Sequence, residues 1–216
     1  MRNRLAAALL VAAVALAAAG FALHDRGQTA APPLPQRAPT TAGGTGDRVR
    51  PSPAEFAVAA KAGLVPADAR SLLRVDHKMR YGEFVWNEHG VPAGQLRIFI
   101  DLRTQLISVF RAGHEIGSAV VLYGADGYET PLGEHPIRGK ARHYQSLAYD
   151  APMPFSLWLT EDGVAIHASE VRGGRATHGC IGVPPEFAEL LFAAARVGDP
   201  VQVVRSADRS VATAAS

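Results

Sequence analysis

The stretch "LRIFIDLRTQLISVFRAGHEIGSAVV", Leu96 to Val121, decides the fold. Within it Leu96, Ile98, Ile100 and Leu102 alternate with Arg97, Phe99, Asp101 and Arg103. A period of two marks a half-buried strand, because successive side chains of a strand point to opposite faces. Turn residues precede the next apolar run, "LISVFRA", and Ala112-Gly113-His114 offers another turn before "EIGSAVVLYG". The pattern predicts an antiparallel meander from Leu96 to Gly124.

Working outward toward the C-terminus, "GADGYETPLGEHPIRGK" (124–140) reads as loop. "SLWLT" and "VAIHA" then flank Glu161-Asp162-Gly163, a strong hairpin-turn signal that sets His167 near the end of a strand. Pro184-Pro185-Glu186 opens a helix in which Phe187, Leu190, Leu191 and Ala194 recur at i, i+3, i+4 and i+7, with Gly198 ending it. "PVQVVRS" gives a last strand, and residues 206–216 form a frayed polar tail. Toward the N-terminus, Ser52-Pro53-Ala54-Glu55 is a capping box that starts a short helix running to Gly63. Pro66 to Val75 is expected to form a second, with Leu72 and Leu73 turned inward. The expected fold class is mainly β, a sandwich or flattened barrel with one helix beside the site and short N-terminal helices.

The chain opens Met1-Arg2-Asn3-Arg4 and runs from Leu5 to Leu23 without a charge. A basic start followed by an apolar run is an export signal or an uncleaved anchor, so the protein is expected outside the cytoplasm. If the leader is retained, residues 5–23 contact the membrane. Residues 24–50 are rich in Pro, Ala, Gly and Thr with no apolar period, the composition of a disordered spacer. Of the 216 residues, about 160 remain for one domain with a small attachment, residues 51–94. A formal charge of +2, scattered along the chain, excludes nucleic acid as a partner.

Cys180 is the only cysteine. In an oxidising compartment structural cysteines come in pairs, so a solitary one is either an inert core residue or a free, reactive thiol. Composition alone divides these evenly. The surroundings, "RATHGCIGVPPEF" (175–187), supply His178 two residues back, and His167 lies upstream across "SEVRGGRA". A thiol attacks a carbonyl as thiolate, and an adjacent imidazole lowers its pKa and takes its proton. Three ligands for zinc could be drawn from the same residues, but His-x-Cys leaves little room for both side chains to converge, and no further ligand is nearby.

"IHASEVRGGRATHGCIGVP" (166–184) resembles the signature of L,D-transpeptidases of the YkuD type, a His followed after a variable loop by Ser/Thr-His-Gly-Cys. The Leu96–Val121 strands, "TPLGEHPI" (Thr130–Ile137), "MPFSLWL" and "GDPVQVV" fall in the same order, so the resemblance spans a catalytic domain at 95–205. It implies that Cys180 is the nucleophile and His167 its base. It further implies that the Ala168 carbonyl orients the imidazole, that the Gly179 and Cys180 amides line an oxyanion pocket, and that His178 is a structural or polarising neighbour. Thr177, Met153 and Phe155 would lie against substrate. No metal or other cofactor is implied.

The implied activity is crosslinking of peptidoglycan stem peptides in the periplasm or cell envelope through a Cys180 thioester. The acceptor would be a second stem peptide, an outer-membrane protein or water, the last giving an L,D-carboxypeptidase. Two departures stand out: Gly182 replaces the Asn or Arg frequent two positions after the cysteine, and the loop between His167 and Thr177 is short. The rival readings are a sortase-like enzyme, which would need Arg196 or Arg205 at the oxyanion, and a non-catalytic wall-binding domain of the same fold.

Overall fold

The computed structural model describes residues 48–207 except Tyr149 and Gly174, so the expected leader, nearly all of the spacer and the tail beyond Ala207 lie outside the described residues. The strands are β1 (Arg48–Val49), β2 (Leu72–Leu73), β3 (Phe84–Trp86), β4 (Leu96–Asp101), β5 (Leu106–Arg111), β6 (His114–Val120) and β7 (Gly133–Pro136). They continue with β8 (Gly139–Ala141), β9 (Gln145–Ser146), β10 (Ala151–Pro152), β11 (Ser156–Trp158), β12 (Ala165–Ala168), β13 (Ile181–Val183) and β14 (Pro200–Val204). One helix spans Pro53–Lys61 and another Pro185–Ala194.

The meander forms as its period predicts: β4 and β5 pair antiparallel with Ile98 opposite Val109, and β5 pairs with β6. They sit in a six-stranded sheet of order β3-β6-β5-β4-β14-β7, in which β14 joins parallel to β4. A four-stranded sheet of order β13-β12-β11-β8 faces it. Residues from both sheets share one core: Ile98, Ile100, Ile107 and Val109 on one side, Leu157, Ile166, Ile181 and Val183 on the other. The helix Pro185–Ala194 inserts Phe187, Ala188 and Leu191 into that core, with the Phe187 ring meeting Phe84 and Trp86 edge-on at 5.9 and 5.5 Å. Burying two such side chains contributes roughly 2 kcal/mol each, which holds the helix against β12.

Three expectations are corrected. No second helix forms between Pro66 and Val75. Leu72–Leu73 pairs instead with Arg48–Val49, and the Leu73 amide donates to the Glu115 carboxylate at 2.8 Å while Glu115 N donates to Ser71 O. These tertiary partners satisfy the backbone that a helix would have used, overriding local propensity. By the same pairing the spacer ends before Arg48, whose guanidinium holds the carbonyls of Glu115 and Asn87. The supposed loop 124–140 contains β7 and the start of β8. β7, "GEHP", is largely exposed and is held by its ladder to β14, with Val201 opposite His135, so it carries no apolar period to read.

Glu115 is buried, and burial pushes its carboxyl up to about 7 from an ordinary 4.5, against the lowering effects of bonds from Ser108 and the Leu73 amide and of the Arg48 charge. A folded-state pKa above the unfolded one means that the native protein holds the proton more tightly. Stability is therefore greatest below about pH 4.5 for this group and declines as pH rises toward 7. Thermal melts should show this decline in the wild type and a flatter profile in Glu115→Gln, which keeps an acceptor for Leu73. An equally steep profile in the variant would exclude Glu115 as its source.

Candidate active site

Alternation along two neighbouring strands builds the site. In β12, Ile166 and Ala168 turn into the core; in β13, Ile181 and Val183 do the same. The strands run parallel with Ile166 opposite Ile181, His167 opposite Gly182 and Ala168 opposite Val183. His167 and Gly182 therefore share the opposite face, and Cys180, one step before the paired run, falls on that face across from Ala165. His167 and Cys180 are diagonal neighbours on adjacent strands, with α-carbons roughly 8 Å apart by strand spacing and rise.

The histidine's tautomer follows from its hydrogen bond. His167 Nδ1 lies 2.8 Å from the Ala168 carbonyl oxygen, which can only accept, so Nδ1 carries the proton and Nε2 is left as a base. Burial pushes the imidazole below its ordinary pKa, with the Ala168 carbonyl opposing. The ring is thus neutral, and competent to accept a proton, at physiological pH.

Burial pushes the Cys180 thiol up, the Ala165 backbone hydrogen bond lowers it, and the Asp162 carboxylate raises it. The Sγ–H is also 3.9 Å from the Gly163 carbonyl. This corrects the expectation that the neighbouring imidazole lowers the thiol's pKa at rest. Desolvation opposes both ionised partners, so the resting pair is a neutral thiol and a neutral imidazole. The hairpin turn Glu161-Asp162-Gly163, read from sequence only as a connection, adds the Asp162 charge as a smaller contribution beside burial. Iodoacetamide should consequently alkylate Cys180 more slowly than a free cysteine at pH 7.5, with the rate climbing into alkaline pH. Asp162→Asn should accelerate it, and a rate plateau already reached at neutral pH would show a preformed thiolate instead.

The turn carrying the thiol is strapped in place. The Thr177 amide donates to Tyr123 O at 2.9 Å and Ala125 N donates to Thr177 O at 3.0 Å. The Thr177 hydroxyl donates to the Cys180 carbonyl, and the buried Thr130 hydroxyl donates to Gly179 O at 2.9 Å. Gly179 has φ of +100°, a conformation side chains rarely adopt, which accounts for glycine before the cysteine. Neither the Gly179 nor the Cys180 amide donates to a described backbone carbonyl outside the sheet ladders.

His178 is exposed, its ring edge-on to Tyr128 at 4.8 Å. Met153 is buried, and Phe155 packs edge-on to Phe192 of the helix at 5.8 Å beneath the Arg142 guanidinium. The carbonyl between them, Pro154 O, accepts from Ala168 N at 2.9 Å, placing that turn beside the end of β12. Trp158, opposite Ala165 in register, shares the thiol's face and meets Tyr144 edge-on at 5.1 Å. Thr130 and Trp158 lie in stretches that carry the family resemblance but were assigned no role from sequence, and Tyr128 and Tyr144 were not singled out. Arg205 lies over the Tyr123 ring, and the Arg196 amide donates to Asp199. Among the described residues no three His, Cys, Asp or Glu side chains are grouped to hold a metal ion.

The short loop after His167 has a brace from outside the strands. Val171 is buried with Val120, Leu122, Met79 and Leu106. The Tyr81 ring lies against Gly173, whose Cβ position is 3.3 Å from two of its atoms, and Tyr81 donates to Gln105 at 2.9 Å.

Fold and site define a two-sheet β protein that sets a lone thiol beside a neutral imidazole. The L,D-transpeptidase catalytic domain family, YkuD, matches residues 95–203, half of the chain, and the chain belongs to that family. Similar solved structures include an L,D-transpeptidase from Stackebrandtia nassauensis, 26% identical over 53% of this chain and 58% of that one, TM-score 0.47. Others are L,D-transpeptidase 1 of Mycobacterium tuberculosis (24% identical, 50% and 60% covered, TM-score 0.44) and an L,D-transpeptidase from Mycobacterium smegmatis (20%, 50% and 58%, TM-score 0.47). This chain spans less than two thirds of each of them. No curated protein matches it.

Proposed function

We propose that this protein is a cysteine-dependent L,D-transpeptidase acting on peptidoglycan stem peptides. The observation that carries the reading is the parallel register that sets Cys180 and His167 on one face, with His167 Nδ1 committed to the Ala168 carbonyl. Membership of a family that acts on such peptides supports the substrate class.

In this reading Cys180 Sγ attacks the carbonyl at the L-centre of the diamino acid in a tetrapeptide stem, and its proton passes to His167 Nε2. Because thiol and imidazole are both neutral at rest, proton transfer accompanies attack. The Gly179 and Cys180 amides receive the oxyanion. Collapse breaks the bond to the terminal D-Ala, whose amine takes the proton from the imidazolium. The resulting thioester conserves the energy of the broken peptide bond, which suits a compartment without ATP. An acceptor amine, deprotonated by His167, then attacks the thioester, and the thiol regains its proton. The apolar leader suggests action in the periplasm or cell envelope.

Mass spectrometry of muropeptides after incubation with the purified protein tests this directly. A dimer crosslinked between two diamino acids, with loss of D-Ala, is the expected product. A tripeptide alone would assign water as acceptor, and unchanged muropeptides would overturn the reading.

A further inference from the structure

Gly182 lies opposite His167 on the face that carries the thiol, and a side chain there would project next to the imidazole. That space is taken. A Cβ at Gly182 would fall 2.9 Å from Ser169 Cβ and 3.2 Å from Ser169 Oγ, and 3.5 Å from Leu122 Cβ on the other flank. Ser169 is two residues beyond His167, so alternation places both on one face. Its amide donates to Val183 O at 2.8 Å, extending the β12–β13 ladder and fixing the backbone from which the hydroxyl projects. Ser169 is half-buried, as are His167 and Cys180.

We propose that Ser169 is a specificity-determining residue: its side chain takes the space that Gly182 leaves open, and its hydroxyl hydrogen-bonds a carbonyl or carboxylate oxygen of the acyl-donor peptide beside the Cys180–His167 pair. The two positions are complementary, since Gly182 carries no side chain and the neighbouring strand sets a polar atom 3.2 Å from where its Cβ would stand. A serine on a ladder-fixed backbone has a single rotor, so the donor contact costs little ordering. The inference rests on the acyl-transfer reading of Cys180 and deepens it.

The experiment uses the full chain with a disaccharide tetrapeptide as donor. Ser169→Ala should lower kcat/KM roughly tenfold, chiefly through KM, as loss of one hydrogen bond does. Iodoacetamide alkylation of Cys180, which needs no peptide contact, should stay within about twofold. An unchanged kcat/KM overturns the proposal, and so does an equal fall in alkylation, which would make Ser169 merely structural. Gly182→Asn alone should lower Tm by crowding Ser169. The exchange Ser169→Gly with Gly182→Asn should recover Tm and use the donor better than Ser169→Gly alone. A Gly182→Asn variant as stable as wild type refutes the shared volume. If the wild type forms a carbapenem adduct on Cys180 but leaves the tetrapeptide untouched, the donor class and this proposal are wrong while acyl transfer stands. With neither adduct nor turnover, the acyl-transfer reading itself is wrong.

Discussion

Cys180→Ala should reduce transpeptidation to background while melting at the wild-type temperature. The sulfur is half-buried and its only described contacts are the Gly163 carbonyl and the Ala165 backbone, so its loss removes little packing. It removes the sole cysteine of the chain, and with it the only thiol that could form the thioester. Intact-mass analysis with a carbapenem gives a second readout, because a β-lactam carbonyl presents a strained acyl bond to the same attack. Wild type should gain one drug mass and Cys180→Ala none. An adduct that persists without the thiol would place the nucleophile elsewhere.

His167→Ala should slow both turnover and carbapenem acylation by about 10² to 10⁴, the usual contribution of a general base. The pH profile of kcat/KM carries more information than the size of the loss. Burial holds the His167 pKa below its ordinary value, so the wild-type rate should rise with pH through an acid limb that lies under the usual histidine range and then stay level across neutrality. In the variant that limb should vanish, and the residual rate should climb with alkaline pH as the thiol ionises unaided. A loss confined to KM, with the acid limb intact, would assign His167 to substrate binding instead.

The meander and the histidine strand were legible because each buries one face, whereas the three-residue strand β13 and its parallel pairing with β12 were not read. Ile98 and Ile100, or Ile166 and Ala168, alternate with residues of another kind, and the alternation alone places His167 away from the core. The helix Pro185–Ala194 was legible for the analogous reason, Phe187 and Leu191 repeating at the helical period. The edge strand β7 was not, since backbone bonds to β14 hold it and its exposed Glu134 and Pro136 answer to no burial pattern. Nor was the true course of residues 66–75, where the deciding partner, Glu115, lies 42 positions from Leu73. At the site, the identities of Cys180 and His167 were readable but their charge state was not. That depends first on desolvation and then on Asp162, in the hairpin turn three positions before the first residue of β12.

The brace formed by Met79 and Tyr81 bears on where this protein can be cut. Both residues precede the matched span, 95–203, yet they support Val171 and Gly173 in the loop that joins the histidine strand to the cysteine turn. The heritable module and the mechanical unit thus have different edges. A chimera joined at residue 95 would inherit every reactive group and lose the prop beneath the segment that keeps them in step, whereas one joined ahead of Arg48 would carry prop and chemistry together.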